Sequence, residues 1–278
     1  MSGIPIPRES LGEILGLEPA GGSAFTVRLE NFFGEALAGD VLARMALAAG
    51  VGCTGRELSS VAATFLRPAP PDQPLALQVE RLAEDARLSR RAVRLGGEEP
   101  LCQAVASFAA PAEGTEWSDS PSPPAPPDPD GLPATREAAR LEGWPEAYAR
   151  GPIEFRRVGP RWPDRTSSDP HGHVEWLRLR SPLPEDPQLQ AAALVFLCGF
   201  YAHWEYEWRF GPAFAYERYR PLGFSVFVHR AVPLDDWLLL RARSDAGRAG
   251  RGISRRAIYT RDGRLLASSV QDALVQGG

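Results

Sequence analysis

The 278-residue chain is 44% hydrophobic and 24% charged, with a formal net charge of −4. Those proportions are ordinary for a globular protein of one large domain or two average ones. They argue against nucleic acid as a partner, which calls for a clustered basic face, and the longest apolar run, Ala191–Gly199, is far too short to span a bilayer.

Every fixed positive charge is an arginine, since the chain contains no lysine. This reads either as anion recognition by guanidinium forks or as a coding bias, the arginines being scattered. Cys53, Cys102 and Cys198 lie far apart with no CxxC pair, which fits a reducing, cytoplasmic setting and argues against a structural zinc site. The opening MSGIPIPRES has neither the basic nor the apolar region of a signal peptide.

In chain order, Glu9–Leu17 has the spacing of a short helix with Ser10 as its cap, and Phe25–Leu29 alternates as a strand. Val41, Leu42, Met45 and Ala46 place a helix over Asp40–Ala49, and four strands follow between about Leu58 and Ala110. Pro111–Pro133 is so rich in proline that it reads as an extended, solvated linker. Beyond it come a surface helix over Thr135–Arg150, capped by its threonine, and irregular segments at Ile153–Arg157 and Pro160–Arg165. A strand over His173–Arg180 and a long apolar helix over Pro187–Trp204 follow. The segment Phe200–Tyr219 is crowded with aromatic residues and reads as a plug at one end of an apolar tunnel. Strands are expected at Phe224–Arg230, Trp237–Arg243, Gly252–Tyr259 and Arg264–Leu274, the last after an Asp262-Gly263 hairpin signal. The four together read as a meander.

The two halves repeat one text. Ser89-Arg90-Arg91-Ala92-Val93 answers Ser254-Arg255-Arg256-Ala257-Ile258, and Phe65-Leu66-Arg67-Pro68 answers Phe227-Val228-His229-Arg230. Strand, helix and four strands appear on both sides of the linker, which points to duplication. The boundaries are an N-terminal unit over 1–112, a linker over 113–134 and a C-terminal unit over 135–278.

This plan resembles the bacterial acyl-CoA thioesterase II family, the double-hotdog thioesterases. The resemblance is carried by Ala38-Gly39-Asp40, Thr64-Phe65-Leu66-Arg67-Pro68, Phe227-Val228-His229-Arg230, Asp236-Trp237-Leu238-Leu239, Arg251-Gly252, Tyr259 through Leu265, and Ala267-Ser268-Ser269-Val270-Gln271. It implies an α+β double hotdog, two long central helices wrapped by antiparallel sheets. It also implies hydrolysis of acyl-CoA thioesters by direct attack of water, with no metal or organic cofactor. Members resembling this chain use an Asp, a Thr or Ser and a Gln. The glutamine position falls on Gln271, the threonine position on Asp245, and the aspartate position on Gly223.

Two of the three groups are therefore replaced. One expectation is that Asp245 supplies the lost carboxylate across the room left at Gly223, with Gln271 orienting the water. Another places the carboxylate at Asp40, which otherwise reads as a helix N-cap. The acyl chain is expected in a tunnel near Leu197, Phe200 and Tyr201, with His229 in contact with substrate or simply a satisfied polar group. Arg248, Arg251, Arg255 and Arg256 read either as receivers of the coenzyme phosphates or as a solvated strand face. The alternative function is a binding protein for acyl thioesters or other lipophilic ligands that does not hydrolyse them. Relatives commonly associate, so a homo-oligomer is expected, without nucleic acid or membrane as partner.

Overall fold

The computed structural model describes residues 6–32, 34–115, 126–142, 149–159, 172–210 and 214–277. The first half runs α1 (Leu11–Ile14), β1 (Glu18–Gly21), β2 (Ala24–Arg28), α2 (Ala38–Gly50), β3 (Glu57–Phe65), β4 (Pro74–Glu84), β5 (Leu88–Gly96) and β6 (Pro100–Ala109). The second runs α3 (Thr135–Glu142), β7 (Ile153–Val158), β8 (His173–Leu179), α4 (Pro187–Gly199), α5 (Trp204–Phe210), β9 (Phe214–Val228), β10 (Leu238–Arg248), β11 (Arg251–Thr260) and β12 (Leu265–Gly277). The repeated strand, helix and four-strand plan is present, with each first strand extended into a hairpin.

The strands form one antiparallel sheet in the order β1-β2-β4-β5-β6-β3-β9-β12-β11-β10-β8-β7. The expected four-strand meander is corrected: β10, β11 and β12 follow in sequence, but β9 lies beyond β12. That placement frees the other edge of β9 to pair with β3, from Ser60 opposite Phe227 to Thr64 opposite Gly223, and so to join the halves.

Period-two alternation sets the faces of the sheet. On β12, Ala267, Ser269, Gln271, Ala273 and Val275 are buried on the inner face, whereas Val270 is exposed on the outer. The inner face wraps α2 and α4. Both helices are too apolar to be exposed, and nearly all their residues are buried. They run antipatallel-wise past each other: Gly39 meets Gly199 at one end and Gly50 meets Gln188 at the other. One core spans both halves.

Three expectations about the middle of the chain are corrected. Residues 126–134 are not simply solvated. They lie over an outer-face cluster of Val174, Trp176, Trp237, Leu239 and Tyr259, with Leu132 against it. Trp176 Nε1 donates to the Pro127 carbonyl at 2.9 Å, and Arg156 donates to those of Pro129 and Leu132 at 3.0 Å each. Ile153–Val158 is a regular edge strand paired with β8. Thr135 is buried and bridges to Phe155, its hydroxyl donating to the carbonyl at 2.8 Å and accepting from the amide at 2.9 Å. The expected segment Pro160–Arg165 lies outside the described residues.

Candidate active site

The sequence-predicted site residues divide between the two faces of the sheet. Asp245 sits at a β-bulge, where the β10–β11 register shifts between Ser244 and Ala246. A bulge residue lets two side chains point the same way, and Asp245 turns outward beside Ile253. Its carboxylate is held there by two exposed arginines, Arg243 through Nε at 2.6 Å and Arg255 through Nε. Gln271, by contrast, is buried on the inner face. The expected convergence of Asp245 and Gln271 is corrected: the two side chains stand on opposite faces of the sheet.

The other outward positions follow. Gly223 precedes the inward Phe224, and a Cβ there would meet only the Ala63 carbonyl at 3.9 Å, so its room opens outward. His229 Nε2 lies 2.9 Å from Ser268 Oγ on the exposed side. Arg251 is exposed and reaches Asp272 at 3.4 Å. Arg255 holds Asp245, and Arg256 faces the opposite way, into the interior, so the four arginines do not share one phosphate-binding face.

Leu197, Phe200 and Tyr201 are on the inner side and tightly packed, 1%, 5% and 2% exposed. The ring of Phe200 lies 4.1 Å from that of Tyr201, which stacks on Trp204 at 4.5 Å. These rings fill the space expected for a tunnel. The long helix of the sequence reading stops at Gly199, and α5 starts at Trp204. Between them Tyr201 has φ +46°, a conformation that costs about 1–3 kcal/mol for a non-glycine residue and is held only by strong surroundings.

Those surroundings are a buried polar network. Arg256 Nε donates to Glu205 Oε1 at 2.7 Å. Its other nitrogens donate to the carbonyls of Phe200 and Tyr201 just past the end of α4, the latter at 2.8 Å. The guanidinium thereby satisfies the Phe200 carbonyl, shares that of Tyr201 with the Trp204 amide, and complements the negative end of α4. Next to it, Gln271 Nε2 donates to the Tyr219 hydroxyl at 2.7 Å. Ser254 lies directly opposite Gln271 on β11, and Tyr206 donates from its hydroxyl to the Gly252 carbonyl at 3.1 Å. A second ionic group, Arg157, Glu175 and His173, closes the far side, with Arg157 Nε 3.0 Å and His173 Nε2 2.9 Å from the Glu175 carboxylate. Arg157 also lies 5.2 Å over the Trp204 ring.

Burial sets the protonation states. It raises Glu205 to about 7, offset in part by Arg256, and raises Glu207 to about 7 as well. It lowers His203 to about 3, with Arg256 adding to the effect, so this imidazole is neutral. Burial pushes the Cys198 thiol up to about 12, which disqualifies it as a thiolate nucleophile. Asp40 is not an N-cap: the cap position is Leu37. Asp40 is fully buried, accepting from Arg44 Nε and from the Glu30 amide, each at 2.7 Å. Arg44 in turn donates to the carbonyls of Gly16 and Arg28, so Asp40 ties a structural network.

Sequence reasoning missed Glu205, Tyr206 and Tyr219 and misread Arg256. The available signal was the duplicated Ser-Arg-Arg text. In both copies the serine and the second arginine are buried, Ser89 with Arg91 and Ser254 with Arg256, and each arginine has a glutamate partner, exposed Glu84 in the first copy and buried Glu205 in the second. The arrangement offers a glutamine amide, hydroxyls and a carboxylate of raised pKa in a buried cluster, a set suited to positioning and activating a small nucleophile.

The family description "Acyl-CoA thioesterase C-terminal domain" matches residues 118–275, and "Acyl-CoA thioesterase N-terminal domain" matches residues 33–109. The chain is 26% identical over 253 residues to acyl-CoA thioesterase 2 of Haemophilus influenzae, with 88% of each chain covered. A tesB protein of Mycobacterium avium subsp. paratuberculosis shares the fold with a TM-score of 0.78 at 24% identity, covering 95% of this chain and 97% of that one. An acyl-CoA thioesterase II from Mycobacterium marinum gives 0.76 at 23%, covering 97% and 99%. With both domain types matched in order on a double-hotdog frame, the chain belongs to the acyl-CoA thioesterase family.

Proposed function

We propose that the protein hydrolyses acyl-CoA thioesters by direct attack of water, at the buried cluster around Gln271. The observation that carries this reading is the state of that side chain. Gln271 is 2% exposed, its amide nitrogen is anchored on Tyr219, and its Oε1 has no hydrogen-bond donor among the described residues. A buried acceptor left without a donor costs about 1–3 kcal/mol, and an oriented water is the partner that the proposed reaction supplies.

The start of α2 lies close by. Phe224, directly opposite Gln271 on β9, approaches Gly199, which in turn touches Gly39 in the first turn of α2. Unpaired N–H groups of a helix start are suited to a developing oxyanion. The acyl end of the substrate would run toward Leu197, Phe200 and Tyr201, and the packed rings of the last two then limit its length.

A homo-oligomer belongs to the same reading. Val105, Phe227, Val270 and Ile253 are 41–46% exposed on the outer face, on strands clustered around the β3–β9 junction. Such a patch is suited to a second copy of the chain. No helix among the described residues is long and apolar enough to cross a membrane. Three buried free thiols support a reducing, cytoplasmic site of action.

The test is release of free thiol from a panel of acyl-CoAs. Wild type is expected to turn over, and Gln271→Ala to lose about 10²–10³-fold in kcat. A wild type that is inert while acyl-CoA still raises its melting temperature would make this a binding protein.

A further inference from the structure

Glu205 lies in the first turn of α5 with its side chain 1% exposed. Arg256 takes one carboxylate oxygen, Oε1, through both Nε and Nη2 at 2.7 Å. The other, Oε2, is fully covered and has no hydrogen-bond donor among the described residues. An ion pair that satisfies one oxygen and leaves its twin bare is costly in a dry site, because a charged acceptor loses more than a neutral one.

The bare oxygen has a counterpart. Gln271 Oε1 is equally buried and equally without a donor. Both border one inward row of β11, Gln271 directly and Glu205 through Arg256. Ser254 is opposite Gln271, and Arg256 is two residues along the same inward row of β11, facing Ser269. Tyr206, the residue after Glu205, reaches that row at Gly252. Two acceptors call for a donor with two hydrogens. A thioester carbonyl has none to give, whereas one water molecule has both and keeps a lone pair for attack.

We propose that Glu205 is the general base of the hydrolysis, taking over the role of the carboxylate replaced at Gly223, with Arg256 fixing its orientation and Gln271 aiming the water. The inference rests on the hydrolytic reading above. The water oxygen bonds to the thioester carbonyl carbon, and its proton passes to Glu205 Oε2. The tetrahedral intermediate collapses as the C–S bond breaks with its electron pair on sulfur, and the sulfur takes the proton from Glu205. The products are the free acid and the thiol, and Glu205 is regenerated as a carboxylate.

Arg256 from β11 and Glu175 from β8 act on Glu205, as do Tyr206 and Glu207 from its own stretch of chain. Of these, Glu207 is the other group whose titration falls near that of Glu205, at about 7, so it needs its own control.

The test is the pH dependence of kcat for thiol release from short- and long-chain acyl-CoAs, using the full chain. Wild type is expected to gain activity through a midpoint near pH 7 as Glu205 ionises. Glu205→Gln is expected to lose about 10²–10⁴-fold in kcat with KM changed less than about threefold and the acidic limb gone, while Glu207→Gln keeps the limb. If Glu205→Gln fails to fold, Glu205→Asp reports instead: it retains a carboxylate for Arg256 but withdraws the oxygen, so kcat must fall at least tenfold with the limb retained. An active Glu205→Gln, or a Glu205→Asp of unchanged kcat, overturns the assignment and leaves the hydrolase reading standing. A wild type that releases thiol from no acyl-CoA overturns both.

Discussion

Gly39 and Gly199 bring the two central helices into backbone contact. A Cβ on Gly199 would lie 2.4 Å from Gly39 Cα, and one on Gly39 would lie 2.4 Å from the Phe196 carbonyl oxygen. Neither obstacle is the end of a flexible side chain, so any substitution must move a helix. Gly199→Ala is expected to destabilise the fold by about 1–3 kcal/mol or more, read as a lower denaturant midpoint with an unchanged slope. A midpoint equal to wild type would show that the helices have slack at this crossing.

Asp245 provides the opposite case. Both of its oxygens are engaged by arginines whose side chains are more than half exposed, and exposed ion pairs contribute about 0–1 kcal/mol. Asp245→Asn is therefore expected to leave kcat within about twofold of wild type, a surface effect unconnected with the chemistry. A large loss of kcat in that variant would return the base to β10.

The fold was largely legible because its signals are local and repeated. Alternation marked β12, unbroken apolar character marked α4, and the Ser-Arg-Arg text marked the duplication. The partner of β9 was not legible, because pairing with β3 rather than β10 is decided between segments far apart in sequence. Nor was the face of Asp245: alternation along β10 puts it on the side of Arg243, and which side that is depends on pairing with β11, where Ser254 faces inward and Arg255 outward. Glu205 lay in a segment read for its aromatic rings. The glutamate becomes meaningful once Arg256, on a strand about fifty residues later, is folded against it. Gln271 was read through a motif, and the structure adds its buried surroundings.

Gly252 controls the position of Tyr206. A Cβ at Gly252 would lie 2.4 Å from Tyr206 Cε1, and the Tyr206 hydroxyl donates to the carbonyl of the same glycine. Gly252→Ala is expected to push the ring away and displace Glu205 with it, lowering kcat by at least tenfold. Tyr206→Phe keeps the ring in place and loses one hydrogen bond, worth about 1 kcal/mol of stability, with a smaller effect on kcat. Kinetics and thermal melts on both variants check the order; equal losses of kcat would assign the effect to the hydroxyl instead.

Glu175 gives the molecule an acid limit distinct from that of its chemistry. Burial alone would raise this carboxyl, but His173 and Arg157 outweigh it and hold the value at about 2, below the ordinary 4.5. The unfolded chain therefore takes up the proton first as pH falls. The stabilisation is complete above about pH 4.5 and is lost progressively toward pH 2. Glu175→Gln removes that dependence and, at neutral pH, leaves Arg157 buried without its full partner, at a cost of about 3–5 kcal/mol. Urea unfolding of both proteins across pH 3 to 7 is expected to show a sloping wild-type stability and a lower, flatter curve for the variant over the acidic part of the range. Parallel curves would mean that the acid limit resides in another carboxylate.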